Sequence, residues 1–396
     1  MSKIPIHVAH PGTQRGFRVA ALFSRAGRLG SFWTTLAFGP GSMLGSRFPA
    51  RSFGDIPRGR VRLAESWREW VSVLGARLPG YGSWSRKWIA KRNREFGWQV
   101  GARAGEAGDA VYGFDTASAE MFEAARARGL KLILDQTILH SVAADPLLRK
   151  VADRRPAYAG SLDWTPCAPG ELARRIEEVI LADRILCPSS AVRDSLILAG
   201  AESEKIRLVP FGVDTAYFSP PPERRGPVRF IFAGQLSERK GLGELLEAWK
   251  LADLADAELL LGGDAPGGFD WAPHIPKGAR ALGRLSRDRL REAYRACHCL
   301  VLPTWVEGQA NVALEAMACG CAVLATDGAG LDGWLRHEET GMRLSPGEPQ
   351  VWAEALRSAA SDPARVRRWG QEAAAQAAEF SLEAYGRRLL AAVEDL

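Results

Sequence analysis

Between Cys299 and Thr326 the chain reads as an apolar run CLVLP, a short loop, the segment VALEAMACG and a second apolar run CAVLAT. No other stretch restricts the fold as strongly. Two short apolar runs bounded by turn residues are buried strands. The VALEAMA between them is strongly helix-forming and Gly320 is a natural stop, so a helix starts near Ala310 or Asn311. Strand, loop, helix, strand implies a mostly parallel sheet, and open sheets of that kind bind ligands beyond the carboxyl ends of their strands.

The loop at that position, EGQANVALEAMACG, carries Glu307, and the helix carries Glu315 on its first turns. The opening N–H groups of a helix have no carbonyl partner and sit at the positive end of the macrodipole, so the backbone from Gln309 through Ala310 and Asn311 to Val312 suits a diphosphate. Carboxylates are poor phosphate ligands but accept hydrogen bonds from hydroxyls. The division of labour that follows is amides for phosphate, Glu315 for a ribose diol and Glu307 for the hydroxyls of a sugar.

With this context the run resembles the signature of the retaining glycosyltransferases of family 4, in which a glutamate, seven residues and a second glutamate precede a Met-Ala-Cys-Gly helix end. The resemblance implies an α/β chain of GT-B architecture, two Rossmann-like doubly wound parallel-sheet domains facing across a cleft. It also implies sugar transfer from a nucleoside-diphosphate sugar to a glycan or lipid-linked acceptor hydroxyl, with retention of configuration. No cofactor and no metal is expected, the nucleotide sugar being a co-substrate. Two other classes fit less well: a catalytically silent GT-B scaffold, and an epimerase, for which no matching constellation is present.

Other segments extend the resemblance. VRFIFAG is followed by QLSERKG, where Gly234 admits close approach of a ligand and Lys240 stands where its ammonium meets a diphosphate. Relatives carry Gly-Arg-Leu there; this chain has Gln235, and Arg239 beside Lys240 is expected to replace part of the missing charge. Gly283 and Arg284 fall where the family holds the nucleobase. Gly12 matches the glycine of the first loop, without its usual neighbour. His140, in LILDQTILH, follows a strand that in relatives ends in a catalytic-pocket histidine. Thr304 is a further polar position at the strand end. The resemblance thus makes Glu307, His140 and Lys240 catalytic. It assigns Gly12, Gly234, Gln235, Arg239, Lys240 and residues Gln309, Ala310, Asn311 and Val312 to the diphosphate, and Gly283, Arg284 and Glu315 to the nucleoside.

A chain of 396 residues has room for two cores. The boundary falls in FGVDTAYFSPPPERRGP, where three prolines interrupt the periodicity. Expected domains are 1–212 for the acceptor, a linker 213–227, 228–376 for the nucleotide sugar, and a closing segment 377–396 that returns to the first domain. Residues 30–110 yield no assignment beyond scattered helices, and Asp145–Gly170 is loosely patterned.

No uninterrupted apolar run approaches the ~18 residues of a bilayer span, and the first residues lead straight into a strand pattern, so a cytoplasmic protein is expected. All six cysteines lie in or beside apolar runs, as reduced core thiols do. The Cys-x-Cys pairs lack the spacing of a zinc knuckle. No pair of carboxylates has the acid and nucleophile roles of a glycosidase. Charge is uneven, since the first hundred residues hold 17 Lys and Arg against 4 Asp and Glu. Within residues 83–103 basic side chains alternate with Trp84, Trp88, Phe96 and Trp98, which suits either peripheral contact with the anionic inner face of a membrane or a packing helix with a basic outer face. No nucleic-acid-reading motif is present, so no nucleic acid partner is expected.

Overall fold

The computed structural model describes residues 4–13, 15–75, 81–224 and 226–396, and for residues 75 and 81–86 the helical backbone alone. The strands are β1 (Ile6–Ala9), β2 (Leu29–Thr34), β3 (Val61–Leu63), β4 (Ala110–Phe114), β5 (Lys131–Asp135), β6 (Arg184–Cys187), β7 (Ile206–Leu208), β8 (Arg229–Ala233), β9 (Glu258–Gly262), β10 (Ala279–Gly283), β11 (Cys299–Leu302), β12 (Ala322–Ala325) and β13 (Gly341–Arg343). They form two sheets, ordered β3-β2-β1-β4-β5-β6-β7 and β10-β9-β8-β11-β12-β13. Every strand pair within them is parallel.

The strand sequences explain the layering. β8, β11 and β12 are apolar at almost every position, and β11 and β12 are buried along their whole length. Such runs belong to strands covered by helices on both faces. In each sheet the strand order reverses once, between β1 and β4 and between β8 and β11. Crossovers leave such a point in opposite directions, so the loops beyond it diverge and open a crevice. In the second sheet those loops are the ones that carry Lys240 and Glu307.

The chain crosses from the first sheet to the second between Leu208 and Arg229, and helix Leu382–Ala391 returns. Tyr385, Leu389, Ala392 and Val393 pack with Ile6, Val8 and Phe17 of the first core. The linker passes beside this helix so closely that a Cβ on Gly212 would lie 2.6 Å from Ser381 O.

Several elements went unread in the sequence. β2 and β3 lie in the stretch without an assignment, and β13 is only three residues long. Helix Ser141–Arg154 contains Pro146, which breaks the helical pattern although the helix continues through it.

Helix Tyr81–Arg103 packs one side against the chain. Phe96 is buried, Arg92 is ion-paired with buried Glu69, and the Trp88 indole donates to Arg68 O at 3.1 Å. Lys87, Lys91, Arg94 and Trp98 face outward. The side chains of Trp84 and Arg86 lie outside the described residues. Among the described residues no helix is long and apolar enough to cross a membrane, and no cluster of three His, Cys, Asp or Glu has the arrangement of a metal site.

Candidate active site

β8 delivers Gly234 and then a tight 3-10 turn, Glu238–Lys240, closed by Gly241 in the left-handed conformation at φ 71°. Gly241 admits no side chain, because a Cβ there would lie 2.0 Å from Pro303 O. The turn therefore rests directly on the end of β11, and the loop beyond Pro303 brings Glu307 beside it. Lys240 Nζ lies 2.5 Å from Glu307 Oε1, and Arg239 Nη1 donates to the same oxygen at 3.1 Å. Arg239 also donates to Val306 O at 2.7 Å. The Lys240 side chain runs over Gly234, whose missing Cβ would stand 3.1 Å from Nζ.

Burial would raise the Glu307 pKa, but Lys240 and then Arg239 outweigh it and hold the carboxyl below its ordinary value. Glu307 is therefore an anion at neutral pH, carrying two cations on one oxygen. Gln235 contributes no charge; its Oε1 accepts from Arg239 Nη2 at 3.3 Å and so helps hold that cation.

The helix after this loop is Asn311–Ala318. Its opening amides are those of Asn311 and Val312, at the positive end of the helix. Two neighbours expected beside them differ in what they leave open. The Ala310 amide donates to Ala329 O at 2.9 Å, and Gln309 is buried with Oε1 accepting the Phe211 amide at 2.9 Å. The Ala310 amide is therefore not a free diphosphate donor and ties the loop to the segment after β12, whereas Gln309 ties the loop to the linker through its oxygen alone, its Nε2 being buried without a hydrogen-bond partner. Thr304 is also structural, a buried hydroxyl donating to Arg239 O at 3.2 Å.

Two cavities adjoin the start of this helix. One of about 430 Å³ lies beyond β8, β9 and β10 and is lined by Gly234, Gln235, Asp264, Arg284 and Val312. Gly283 ends β10 at φ 66°, turning the chain so that Arg284 borders this space. The other, about 120 Å³, is lined by Asn311 and Glu315 together with Arg18, Arg287 and Asp214. Burial raises the Glu315 pKa to about 7, and Arg287 and Arg18 counter only part of that rise. Arg18 comes from the first domain and Arg287 from the start of helix Arg287–Ala296; neither stood out in the sequence, where single arginines carry no pattern.

The first domain supplies the opposite wall. Gly308 presses against the loop after β5, where a Cβ would meet Thr137 O at 1.8 Å, and Ser189 Oγ donates to Gly308 O at 2.6 Å while also capping its own helix. Ile138 and Leu148 pack with Trp305 and Val306. His140 caps helix Ser141–Arg154, its Nδ1 accepting the Val142 amide at 3.3 Å. That bond puts the ring proton on Nε2, which is buried without a hydrogen-bond partner. Burial lowers the His140 pKa, so the ring is neutral at pH 7. Gly12 lies in the loop beyond β1, its amide donating to His10 Nδ1 at 2.8 Å. The structure thus joins Gly234, Gln235, Arg239, Lys240 and Glu307 by direct contact. Arg284, Val312, Asn311 and Glu315 border the adjoining cavities, while Gly12 and His140 stand on loops of the facing domain.

Residues 227–362 match the family model "Glycosyl transferases group 1". The chain is similar to the D-inositol 3-phosphate glycosyltransferase of Rhodococcus jostii, 29% identical over 242 residues that are 54% of each chain. The enzyme of the same name from Kineococcus radiotolerans is 31% identical over 271 residues, 56% of this chain and 61% of that one. The match thus spans only about half to three-fifths of these curated relatives. Among solved structures, the Anabaena protein Alr3699/HepE in complex with UDP superposes with a TM-score of 0.68 at 16% identity, over 99% of this chain and 100% of that one. The fold is GT-B, and the match to the group 1 glycosyl transferases model lies in the C-terminal half.

Proposed function

We propose that this GT-B chain, with its group 1 domain at residues 227–362, transfers a sugar from a nucleoside-diphosphate sugar to an acceptor hydroxyl with retention of anomeric configuration. The observation that carries this reading is the convergence of Lys240 and Arg239 on Glu307, at 2.5 and 3.1 Å, beside the amides of Asn311 and Val312. Two cations and two open amides around one crevice fit a diphosphate. A carboxylate held ionised between them fits the hydroxyls of the sugar attached to it. UDP is the first nucleotide to test, because the Anabaena protein of the same fold is solved with UDP.

In this reading the donor diphosphate displaces the Glu307 carboxylate from Lys240 and Arg239 and takes the Asn311 and Val312 amides. Arg284 borders the base, and Glu315 accepts from the ribose hydroxyls. The freed Glu307 oxygen accepts from the sugar. The anomeric C–O bond to the leaving phosphate breaks as the acceptor oxygen attacks the same face. The acceptor proton passes to a leaving phosphate oxygen, and the charge that develops there is met by the two cations already in place. His140, neutral and with its proton on Nε2, donates to the sugar or positions the acceptor. Gly12 keeps the facing loop low enough to approach the diphosphate. No divalent ion is needed in this scheme, since side chains and amides do its work.

The acceptor is a glycan or a lipid-linked sugar, brought in on the first domain. Lys87, Lys91 and Trp98 on the outer face of residues 83–103 suit peripheral contact with an anionic bilayer holding such an acceptor. Liposome co-sedimentation with and without anionic lipid tests this part by itself, and pelleting that ignores lipid charge removes it.

The reading is tested by incubating the protein with UDP-, GDP- and ADP-sugars and measuring nucleoside diphosphate release, with chelator present. Slow donor hydrolysis, accelerated by acceptor and carried by Lys240, is expected. No binding of any nucleoside diphosphate to the folded protein overturns it.

A further inference from the structure

Residues 155–163 belong by sequence to the N-terminal half, yet they dock into the C-terminal core. Tyr158 is part of the second sheet's apolar cluster and stacks on Trp271, ring centroids 5.4 Å apart. It fills the space over Gly243, where a Cβ would come within 2.4 Å of its ring. Arg155 places Nε 2.5 Å from Oε1 of Glu238, a residue with no exposed surface. The other Glu238 oxygen accepts the Gly243 amide at 2.8 Å, and the Glu238 amide donates to Ser161 Oγ at 2.9 Å. The turn that presents Arg239 and Lys240 is therefore gripped by a segment from the opposite half of the chain.

One contact of this segment reaches the site itself. Gln235 Nε2 donates to Asp163 Oδ2 at 2.7 Å, and Gln235 Oε1 accepts from Arg239 Nη2 at 3.3 Å. Arg239 in turn holds Glu307. Asp163 sits at φ 40°, in the left-handed region that Asp and Asn enter more readily than other residues with a side chain. An amide has a donor end and an acceptor end, and a guanidinium only donates. Fixing the NH₂ end on Asp163 turns the oxygen toward Arg239; without that anchor the amide is free to rotate and present a donor to a donor.

We propose that Asp163 is a positioning residue that acts through Gln235 to aim Arg239 at the donor diphosphate, an inference that rests on the transferase reading above. Its carboxylate stands near a site for an anion, where its charge alone opposes binding. Its value is as a hydrogen-bond acceptor. The neutral Gln235 thus makes sense as part of a relay, in place of a cation touching phosphate directly.

The test is a comparison of wild type with Asp163→Ala, Asp163→Asn, Gln235→Ala and the double variant Asp163→Ala/Gln235→Ala. UDP, GDP and ADP are titrated calorimetrically, the tightest is carried forward, and donor KM and kcat are measured with the matching sugar nucleotide. Because Arg239 holds the bound diphosphate and also meets the charge that develops on it, Asp163→Ala should raise Kd and donor KM by roughly 3–10-fold and lower kcat by a comparable factor. Asp163→Asn should stay within about twofold of wild type, since an amide oxygen still accepts and Asn tolerates the left-handed backbone. The double variant should match Gln235→Ala alone, as members of one relay do. Tighter nucleotide binding in both Asp163 variants, no effect of Asp163→Ala, or multiplying effects in the double variant each overturns the relay while leaving the transferase reading in place. Wild type that binds none of the three nucleotides overturns both.

Discussion

Lys240 Nζ and Glu307 Oε1 lie 2.5 Å apart, although one residue follows β8 and the other follows β11. These strands neighbour each other at the point where the order of the second sheet reverses, so the pair spans the crevice that this topology opens. Arg239 joins on the same oxygen. Without a donor, the two cations that would meet a diphosphate are already fixed by a carboxylate, and the reorganisation that a diphosphate requires is an exchange of one anion for another.

Removing either member should therefore damage catalysis more than folding. Lys240→Met and Glu307→Gln should each lower turnover at least roughly tenfold, about 1.4 kcal/mol of lost transition-state stabilisation. Glu307→Gln also leaves two cations facing each other, so adding Lys240→Met should recover part of its loss of stability. Steady-state rates and urea midpoints of the two single variants and the double variant check both statements. Wild-type rates in both single variants would remove the site assignment.

Gly308 is one point where the two domains touch beside Glu307. Its absent Cβ would lie 1.8 Å from Thr137 O, which is backbone and unable to yield as a flexible side chain does. Gly308→Ala should push the Glu307 loop off the loop after β5, weaken the Ser189 bond to Gly308 O, and cost on the order of 1–3 kcal/mol. A urea midpoint shift together with a fall in kcat is the expected result. An unchanged midpoint would mean that the loops separate freely in solution.

Much of the second domain was legible because its strands are continuous apolar runs and its candidate site residues sit in short segments next to them. Gly234, Lys240 and Glu307 are of this kind. What lay hidden has a physical cause in each case. Ala310 lies in the expected loop, but whether its amide is free depends on a distant partner, Ala329. Pro146 concealed helix Ser141–Arg154, and with it the register that places Arg155 and Asp163 against the opposite half of the molecule. Arg18 and Arg287 meet Glu315 only through tertiary packing.

The Glu315 carboxyl links stability to pH. Its folded pKa, raised by burial to about 7, lies above the ordinary value of 4.5, so the native state holds the proton more tightly than the unfolded chain does. The stabilisation is full below about pH 4.5 and is lost as pH climbs through 7. Glu315→Gln removes this loss, so the variant should gain on wild type by on the order of 1–3 kcal/mol between pH 5 and 8. Glu178, Glu238 and Glu244 are raised to about 7 as well, so wild type and variant share their slopes and only the difference reports on Glu315. Melting curves at several pH values make the measurement. A difference independent of pH would mean that Arg287 and Arg18 keep Glu315 ionised throughout.

His140 has two separable tasks, and one substitution distinguishes them. Nδ1 caps the helix that begins at Ser141, while Nε2 carries a buried proton with no partner. Asparagine is a good N-cap, whereas alanine is not. His140→Asn should hold the helix and the melting temperature while losing the Nε2 donor, and His140→Ala should lose both, with about 1 kcal/mol less stability from the missing cap. If the imidazole serves the sugar or the acceptor, both variants lose turnover by roughly tenfold or more, within the range of an acid–base or hydrogen-bonding group. If its role is only to cap, His140→Asn turns over like wild type, and the lone buried N–H is a packing feature of a folded domain. Rates and melting temperatures of the two variants, read together, decide between these outcomes, because stability tracks the cap and turnover tracks the ring.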